Sequence, residues 1–406
     1  MFGRAVRSLV ADLPREVLVL ASVAFAVAVG FGVVAPAIPL FAREFGVGRT
    51  AAGAVISAFA AMRLVSALGS GRLVDRLGER GVLASGIAIV AGSTALAGAA
   101  QSYSQLLLLR AAGGVGSAMF TVSAVSLLLR VAAPDQRARA SGLFQGGFLV
   151  GGVAGPAFGG PLTEWSLRAP FFVYAVTLAV AGGIGMAFLS HAQLSEGGAQ
   201  TPDSARRTSL RAALGSRGYR AALVNNLATG WTLFGIRASL IPLFVVEGLR
   251  RDVIWTGIAL LVSSLAQAVS LLPAGRFADR TGRRPVLVTG AVLATTSMGL
   301  IAVSTSVELF VAAMVLFGVG SGLVGVASGA VVGDVVTGPG GGTVVAAFQM
   351  AADIGAVVGP LLAGWLADEY SYAVAFGTSA AVLGAGAVMA LRMPETRPAA
   401  AAAGAT

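Results

Sequence analysis

Apolar positions run in long stretches along this chain, and short polar loops separate them. A helix that crosses a bilayer needs about 20 mostly apolar residues, and twelve stretches reach that length. We number them spans 1 to 12, and together they predict an all-α integral membrane protein. Their centres fall near Gly30, Ala61, Ala91, Ala118, Val150, Leu178, Leu233, Leu265, Leu293, Gly320, Val357 and Leu383.

Polar residues return at length only between span 6 and span 7. Residues 191–219 contain acids, glycines and several arginines, which predict a cytoplasmic linker with a surface helix near its end. The linker separates a first half at 17–190 from a second half at 220–392, each with six spans. We expect a cytoplasmic segment at 1–16 and a disordered, alanine-rich tail at 393–406.

The composition excludes a soluble protein. Hydrophobic residues make up 56% of the 406 residues and charged residues only 11%, whereas an ordinary soluble domain carries about 25% charged residues. The net charge of +10 comes from arginines, which lie mostly in the loops. Of these, 20 lie at the termini, the linker and the even-numbered loops, and 5 lie on the opposite side. The positive-inside rule then places both termini in the cytoplasm, so the charge does not indicate a nucleic-acid partner.

Side chains able to do chemistry are scarce. The chain has no cysteine, and its single histidine, His191, falls in the polar linker, so thiolate chemistry and a multi-histidine metal site are excluded. The spans contain neither the clustered carboxylates nor the serine–base pair that an intramembrane enzyme would need. We therefore expect no enzyme, no cofactor and no metal. The expected partners are the lipid bilayer and a small molecule.

One loop motif occurs twice. The loops after span 2 and span 8 both read G-x-x-x-D-R-x-G-x-R, at an offset of 204 residues, and the same offset relates Gly114 to Gly318. The two halves are therefore copies of one unit, which is typical of transporters that rock around a central site. The motif residues are Gly71, Asp75, Arg76, Gly78 and Arg80 in the first copy, and Gly275, Asp279, Arg280, Gly282, Arg283 and Arg284 in the second.

These loops resemble the signature of the major facilitator superfamily, although Gly81 stands where a second basic residue is common. From Arg110 onward, span 4 is similar to the family motif R-x-x-Q-G-x-G-A-A, with Gly113 in place of the glutamine. The resemblance covers the whole chain and implies the family's twelve-helix fold, in two pseudo-symmetric six-helix bundles. Span 5 is similar to the motif of the family's drug/proton antiporters through Gly151, Gly155, Pro156, Gly159 and Gly160.

The resemblance implies gating roles for these motifs. Asp75 is expected to latch the inner end of span 2 to span 11, and the alternative is that the loop arginines only fix topology. The span 5 motif is expected to form a hinge and a seal between the halves, and the alternative is close packing of small residues. Arg110 is expected to line the central cavity and to take part in proton movement. Its alternative role is to anchor backbone carbonyls of span 1.

Charges inside the spans indicate function, because they are costly in lipid. Arg63, Arg110, Arg237 and Asp353 lie within spans, and Asp334 lies near the inner end of span 10. Arg63 and Asp353 have similar depths in spans 2 and 11, which pack together in this fold, so we predict an ion pair between them. Protonation of Asp353 would open the pair and couple a proton to transport, and the alternative is a permanent structural pair. Asp334 is the other candidate for the proton carrier.

A mixed apolar and polar set of side chains is predicted to line the substrate cavity. Arg237 is expected either to bind substrate or to snorkel to the outer headgroups. Residues 17–41 of span 1 and all of span 4 lack an acid, which favours neutral or anionic substrates over cationic ones. The cavity candidates are Arg237, Asn226, Trp231, Phe234, Gln145 and Gln349.

These features predict a secondary active transporter of the cytoplasmic membrane that works by alternating access. The expected activity is proton-coupled efflux of small amphipathic molecules by a monomer. One alternative is a transporter of a single metabolite such as a sugar, an amino acid or a siderophore. Another is a sensor that binds a ligand without moving it, against which the glycine-rich segments of both halves argue.

Overall fold

The computed structural model describes residues 13–133, 136–189, 210–336 and 342–397. These residues form helices joined by short loops, and none of them lies in a strand. Within this part, eleven helices are long and apolar enough to cross a membrane, and Arg137–Trp165 supplies the remaining predicted span. The predicted all-α fold is confirmed, and each predicted span centre falls within one of these helices.

The span bounds follow the sequence pattern closely. Spans 2 and 3 are two helices within Arg49–Gly98, and the chain turns between them at Gly78. A short helix, Leu210–Gly215, lies where the linker was predicted to end in one, whereas 190–209 lies outside the described residues. The other spans are Arg15–Val34 followed by Ala37–Arg43, Tyr103–Val131, Arg137–Trp165, Ala169–Leu189, Arg217–Gly248, Ile254–Thr281, Arg283–Val303, Val307–Val335, Gly342–Glu369 and Tyr372–Arg392.

The chain divides into two compact units. One comprises Met1–Ala37 and Ala58–Ala199, and the other comprises Ile38–Ser57 and Gln200–Thr406. The segment Ile38–Ser57, which holds the first loop and the start of span 2, thus packs with the second half although it belongs to the first half in sequence. Its two ends continue covalently into spans 1 and 2 of the first unit.

The predicted duplication recurs in the packing. Gly114 lies so close to span 2 that an added Cβ would be 2.2 Å from the carbonyl oxygen of Phe59. At the equivalent Gly318, an added Cβ would be 2.1 Å from the carbonyl oxygen of Ser263 on span 8. Residues 59 and 263 are themselves 204 positions apart. Span 2 therefore packs on span 4, and span 8 on span 10, at a glycine whose position leaves no room for a larger side chain.

Candidate functional site

The first motif loop turns between spans 2 and 3 at Gly78, whose φ of 76° is a conformation that favours glycine. Asp75 and Arg76 are exposed, and the latch predicted for Asp75 stays a prediction. The buried acid of this loop is instead Glu79, which is 6% exposed. Its Oε1 lies 2.7 Å from Nη2 of Arg130 at the end of span 4. Sequence reasoning missed this ion pair because Glu79 occupies a variable position of the motif.

The second motif loop is held by Arg283, the first residue of span 9. Its Nη1 lies 3.0 Å from Oδ1 of Asp279, and its Nε lies 3.1 Å from Oδ2 of Asp334 on span 10. The Nη1 group also donates to the carbonyl oxygen of Ala278 at 2.7 Å. Asp334, a candidate proton carrier from the sequence, is therefore committed to an ion pair at the motif loop.

The segment after span 12 packs onto the same loop. The carboxylate of Glu395 accepts the backbone N–H groups of Arg283 at 2.7 Å and Arg284 at 3.1 Å, so it caps the start of span 9. Thr396 donates its hydroxyl to Asp334 at 3.1 Å, and Arg397 donates to the carbonyl oxygen of Arg280 at 2.6 Å. These three residues belong to the tail for which the sequence predicts disorder, and each of them forms hydrogen bonds at this loop. Residues 398–406 lie outside the described residues.

The pKa of Glu395 and the conformation of Gly282 both show how closely this cap is packed. Burial alone would raise the pKa of its carboxyl. Hydrogen bonds from the backbone N–H groups of Arg283, Arg397, Arg284 and Thr396 outweigh that effect, so the pKa is below its usual value. Gly282, just before the helix, has a φ of 110°. A Cβ there would lie 2.3 Å from Oε2 of Glu395, so glycine is needed for both its backbone conformation and its small size.

The glycine face of span 5 packs directly on the backbone of span 1. Added Cβ atoms at Gly151, Gly155 and Gly159 would lie 2.4, 2.5 and 2.7 Å from carbonyl oxygens of span 1. Pro156 and Gly160 lie in the same continuous helix, Arg137–Trp165. Within the first unit the motif therefore provides close packing. The hinge and seal between the halves stay predictions.

The arginines within spans 4 and 7 differ in their surroundings. Arg110 is 2% exposed, and its guanidinium carbon lies 4.5 Å from the ring centre of Phe59. Its Nε has no hydrogen-bond partner among the described residues. Arg237 donates through Nη2 to the carbonyl oxygen of Leu260 at 2.9 Å and to the hydroxyl of Ser264. Arg237 therefore contacts span 8, and its predicted roles, substrate binding or snorkelling to the headgroups, stay predictions.

Arg63 and Asp353 belong to different units, the first on span 2 and the second on span 11. Both side chains are half-buried. Their pairing, and its opening by a proton, stay predictions.

Span 7 departs from regular α-helix at Gly230–Ile236 and Phe244–Gly248, where it winds as π-helix. Such segments often mark functional sites. Of the predicted cavity residues, Trp231 is buried and donates its indole N–H to Ser379 at 3.0 Å, and Asn226 donates to the carbonyl oxygen of Phe348 at 2.6 Å. These two side chains are thus engaged in packing span 7. The remaining polar and aromatic candidates are exposed and available: Phe234, Gln145 and Gln349.

A cluster that sequence reasoning missed fixes the segment Ile38–Ser57 to its own unit. We call it the arginine clasp; its members are Arg43, Arg49, Glu247, Asp368 and Tyr372. Nε of Arg43 lies 2.8 Å and Nε of Arg49 lies 2.9 Å from the two carboxylate oxygens of Glu247. The hydroxyl of Tyr372 donates to the same carboxylate at 2.8 Å, and the guanidinium of Arg49 stacks 4.6 Å from the tyrosine ring centre.

The clasp also caps the start of span 2. Asp368 accepts the backbone N–H of Arg49 at 2.9 Å, and both the backbone N–H and the hydroxyl of Thr50 at 2.8 Å. An anion at a helix start is favoured by the helix dipole. The sequence holds a signal for this cluster, because arginines of the first loop could pair with acids at the ends of spans 7 and 11. In the sequence analysis these arginines indicate only the topology.

Comparison with known proteins agrees with this architecture. A sequence profile of the Major Facilitator Superfamily matches residues 20–261 and 232–406. Quinolone resistance protein NorA of Staphylococcus aureus (strain MRSA252) is 27% identical over 158 residues, which cover 39% of this chain and 41% of that protein. Multidrug resistance protein 1 of Bacillus subtilis (strain 168) is 27% identical over 146 residues, covering 36% of this chain and 38% of that protein. The matches thus span less than half the length of these curated relatives.

Solved structures show the same fold at low identity. A bacterial homolog of the human lysosomal transporter Spinster, in an inward-facing and occupied conformation, has a TM-score of 0.75 at 14% identity and covers 92% of this chain and 95% of its own. The human organic anion transporter MFSD10 (TETRAN) has a TM-score of 0.65 at 17% identity, covering 93% and 100%. With its family profile matched in both halves, the chain belongs to the major facilitator superfamily.

Proposed function

We propose that this transporter exports small amphipathic molecules in exchange for protons. The observation that carries the proposal is the similarity to two relatives that are named for quinolone and multidrug resistance. The glycine face of span 5, packed on the backbone of span 1, adds support because the span 5 motif resembles that of proton-coupled exporters. Transport then takes place in the cytoplasmic membrane, by a monomer whose termini are cytoplasmic, as the arginine distribution indicates.

Asp353 is the proton carrier in this proposal. It lies in the eleventh span, about 16 Å from the helix start at Gly342 at the usual rise per residue. A carboxylate at that depth is functional by default, since it is costly to keep there. Asp334, the other candidate, is held by Arg283 and Thr396 and so has a structural task.

Release of the arginine clasp is the conformational step that we propose for opening the exit path. The clasp holds Ile38–Ser57 to the second unit, while the two ends of this segment run into spans 1 and 2 of the first. If spans 1 and 2 carried this segment with them when they moved, the bonds of Glu247 and Asp368 would break. The side chains that form these bonds are partly exposed, so each ion pair stabilises the closed segment only moderately and can be broken during transport.

The test is proton release by the detergent-purified protein on addition of ligands. The probes are a quinolone, a cationic dye, a sugar and an aromatic carboxylate, added to the wild type, to Asp353→Asn and to the exposed control Asp252→Asn. We expect several unrelated amphipathic probes to release protons from the wild type and the control, but not from Asp353→Asn. Release by the sugar alone would favour a dedicated metabolite transporter. Binding without release from the wild type would contradict proton coupling.

A further inference from the structure

Arg237 is a positive charge held deep within the second unit. It lies 20 residues after the start of span 7 at Arg217 and 11 before its end at Gly248, which corresponds to roughly 30 and 16 Å along the helix. It is the first residue after the π-helical segment Gly230–Ile236. The widened turn therefore ends at the residue that carries the charge.

The partners of this guanidinium are neutral. Nη2 donates to the carbonyl oxygen of Leu260 and to the hydroxyl of Ser264, and no carboxylate of the described residues forms an ion pair with it. The nearest acid along span 7, Glu247, is committed to the two arginines of the clasp. An ion in lipid is usually paired with an opposite charge, because removing it from water is costly. Within the described part of the chain, the partners of Arg237 orient its guanidinium but do not neutralise its charge.

The donors that remain suit one class of ligand. A guanidinium carries five N–H donors in a planar fork. The two partners on span 8 both engage Nη2, which leaves Nε and Nη1 for a further acceptor. A carboxylate can accept an ionic hydrogen bond from either of these donors and compensates the positive charge, whereas an amine or ammonium offers no negative acceptor. The side chain is partly exposed, so an acceptor can reach it.

We propose that Arg237 recognises the negative group of the transported molecule, and that the substrate class is amphipathic anions with a carboxylate or a similar group. The inference rests on the proposed function and narrows it: protons drive export, and Arg237 selects what is exported.

The test is a comparison of three probes that share one apolar body. Protein in phosphatidylcholine nanodiscs is titrated with 2-naphthoate, 2-naphthamide and 2-naphthylmethylammonium, and empty nanodiscs serve as the blank. We expect the wild type to bind the carboxylate about tenfold to a hundredfold more tightly than the amide, as an ionic hydrogen bond would provide. Arg237→Gln should abolish that preference, and Arg237→Lys should retain part of it because the positive charge remains.

Two serines supply a matched pair of milder variants. Ser264→Ala removes a hydrogen bond that orients the guanidinium and should reduce the carboxylate preference by about threefold. Ser263→Ala removes a neighbouring buried hydroxyl that does not contact Arg237 and should leave the preference unchanged. The readout is the ratio of the affinities for the carboxylate and the amide. A variant that folds poorly would weaken binding of all three probes together and leave that ratio unchanged.

Equal binding of the carboxylate and the amide by the wild type would overturn the inference, as would an undiminished preference in Arg237→Gln. Failure of the proposed function has a different signature. A carboxylate preference that depends on Arg237, together with no proton release, would keep the anion site and reject proton-coupled export. Proton release by cationic and neutral probes without any carboxylate preference would do the reverse.

Discussion

Neutralising Glu247 should free the segment Ile38–Ser57 from the second unit. Glu247→Gln keeps the size and shape of the side chain but removes the charge that attracts Arg43 and Arg49. The amide can still accept one hydrogen bond, and the cap that Asp368 provides at the start of span 2 stays in place. The substitution therefore weakens the clasp in a defined way.

The expected size of the effect follows from exposure. Ionic hydrogen bonds contribute about 1.5–3 kcal/mol each when they are shielded from water, and exposed ion pairs contribute about 1 kcal/mol or less. The side chains of Glu247, Arg43 and Arg49 are 22%, 35% and 26% exposed, which lies between these limits. With two ionic bonds lost and one neutral bond kept, we expect the closed segment to lose about 2 kcal/mol.

Cysteine labelling measures this opening directly, because the chain has no cysteine of its own. Ser57 is 3% exposed and donates its hydroxyl to the carbonyl oxygen of Val357 at 2.7 Å, so it is covered while the segment is closed. A thiol introduced by Ser57→Cys should react with a maleimide only from the open state. A loss of 2 kcal/mol then predicts roughly thirtyfold faster labelling of the detergent-solubilised protein.

Glu44→Gln is the matched control, since Glu44 lies in the same loop and is exposed. It should leave the labelling rate of Ser57→Cys within about twofold of the parent, because a surface charge of this kind contributes little. A rate for Glu247→Gln that equals the control would refute the view that the clasp holds the segment closed. A thiol that reacts rapidly in the parent would refute it as well.

Three further predictions concern the motif loops. Gly282→Ala should lower the thermal unfolding temperature because the positive φ at this position costs an alanine about 1–3 kcal/mol and its methyl would meet Glu395. Gly275→Ala, where the added carbon meets open space, should not. Because the pKa of Glu395 is lowered, its cap contributes stability above the usual pKa of 4.5 and loses that contribution as pH falls through the folded pKa. In thermal scans at descending pH, the unfolding temperature of the wild type should therefore fall more than that of Glu395→Gln. Equal decreases in the two proteins would contradict a stabilising role of the cap. Glu79→Arg should destabilise by about 3 kcal/mol, and adding Arg130→Asp should restore most of the loss; a double variant no better than the single one would show that the pair is dispensable.

The fold could be predicted from the sequence because lipid imposes a simple rule. Each span must be about 20 apolar residues long and must satisfy its backbone internally, so the pattern alone located all the spans. The boundary between the units was not predictable in the same way. Ile38–Ser57 reads as part of the first half, and its place in the second unit depends on bonds to Glu247 and Asp368, which are roughly 200 and 320 residues away.

The site was predictable only where a motif fixes the backbone. The repeated loop places glycines at 78 and 282, and the backbone turns at both of them with a positive φ. Side-chain partners depended on tertiary placement, so Asp334 turned out to bind Arg283, and Asn226 and Trp231 turned out to bind within the unit. Glu395 was missed because a short polar segment beyond the last span carries no periodicity that could indicate packing.

The repeat shows what duplication preserved in this transporter. Glu79 and Arg130 form an ion pair in the first half, and the positions 204 residues later, Arg283 and Asp334, form one in the second with the charges exchanged. Arg43 and Glu247 are also 204 positions apart, carry opposite charges, and pair with each other in the clasp. An ion pair depends on the product of its charges, so exchanging both signs leaves the attraction unchanged while the separation is kept. The geometry of the ancestral unit therefore persisted where its residue identities did not, and paired positions at the repeat offset are where its structural charges should be sought.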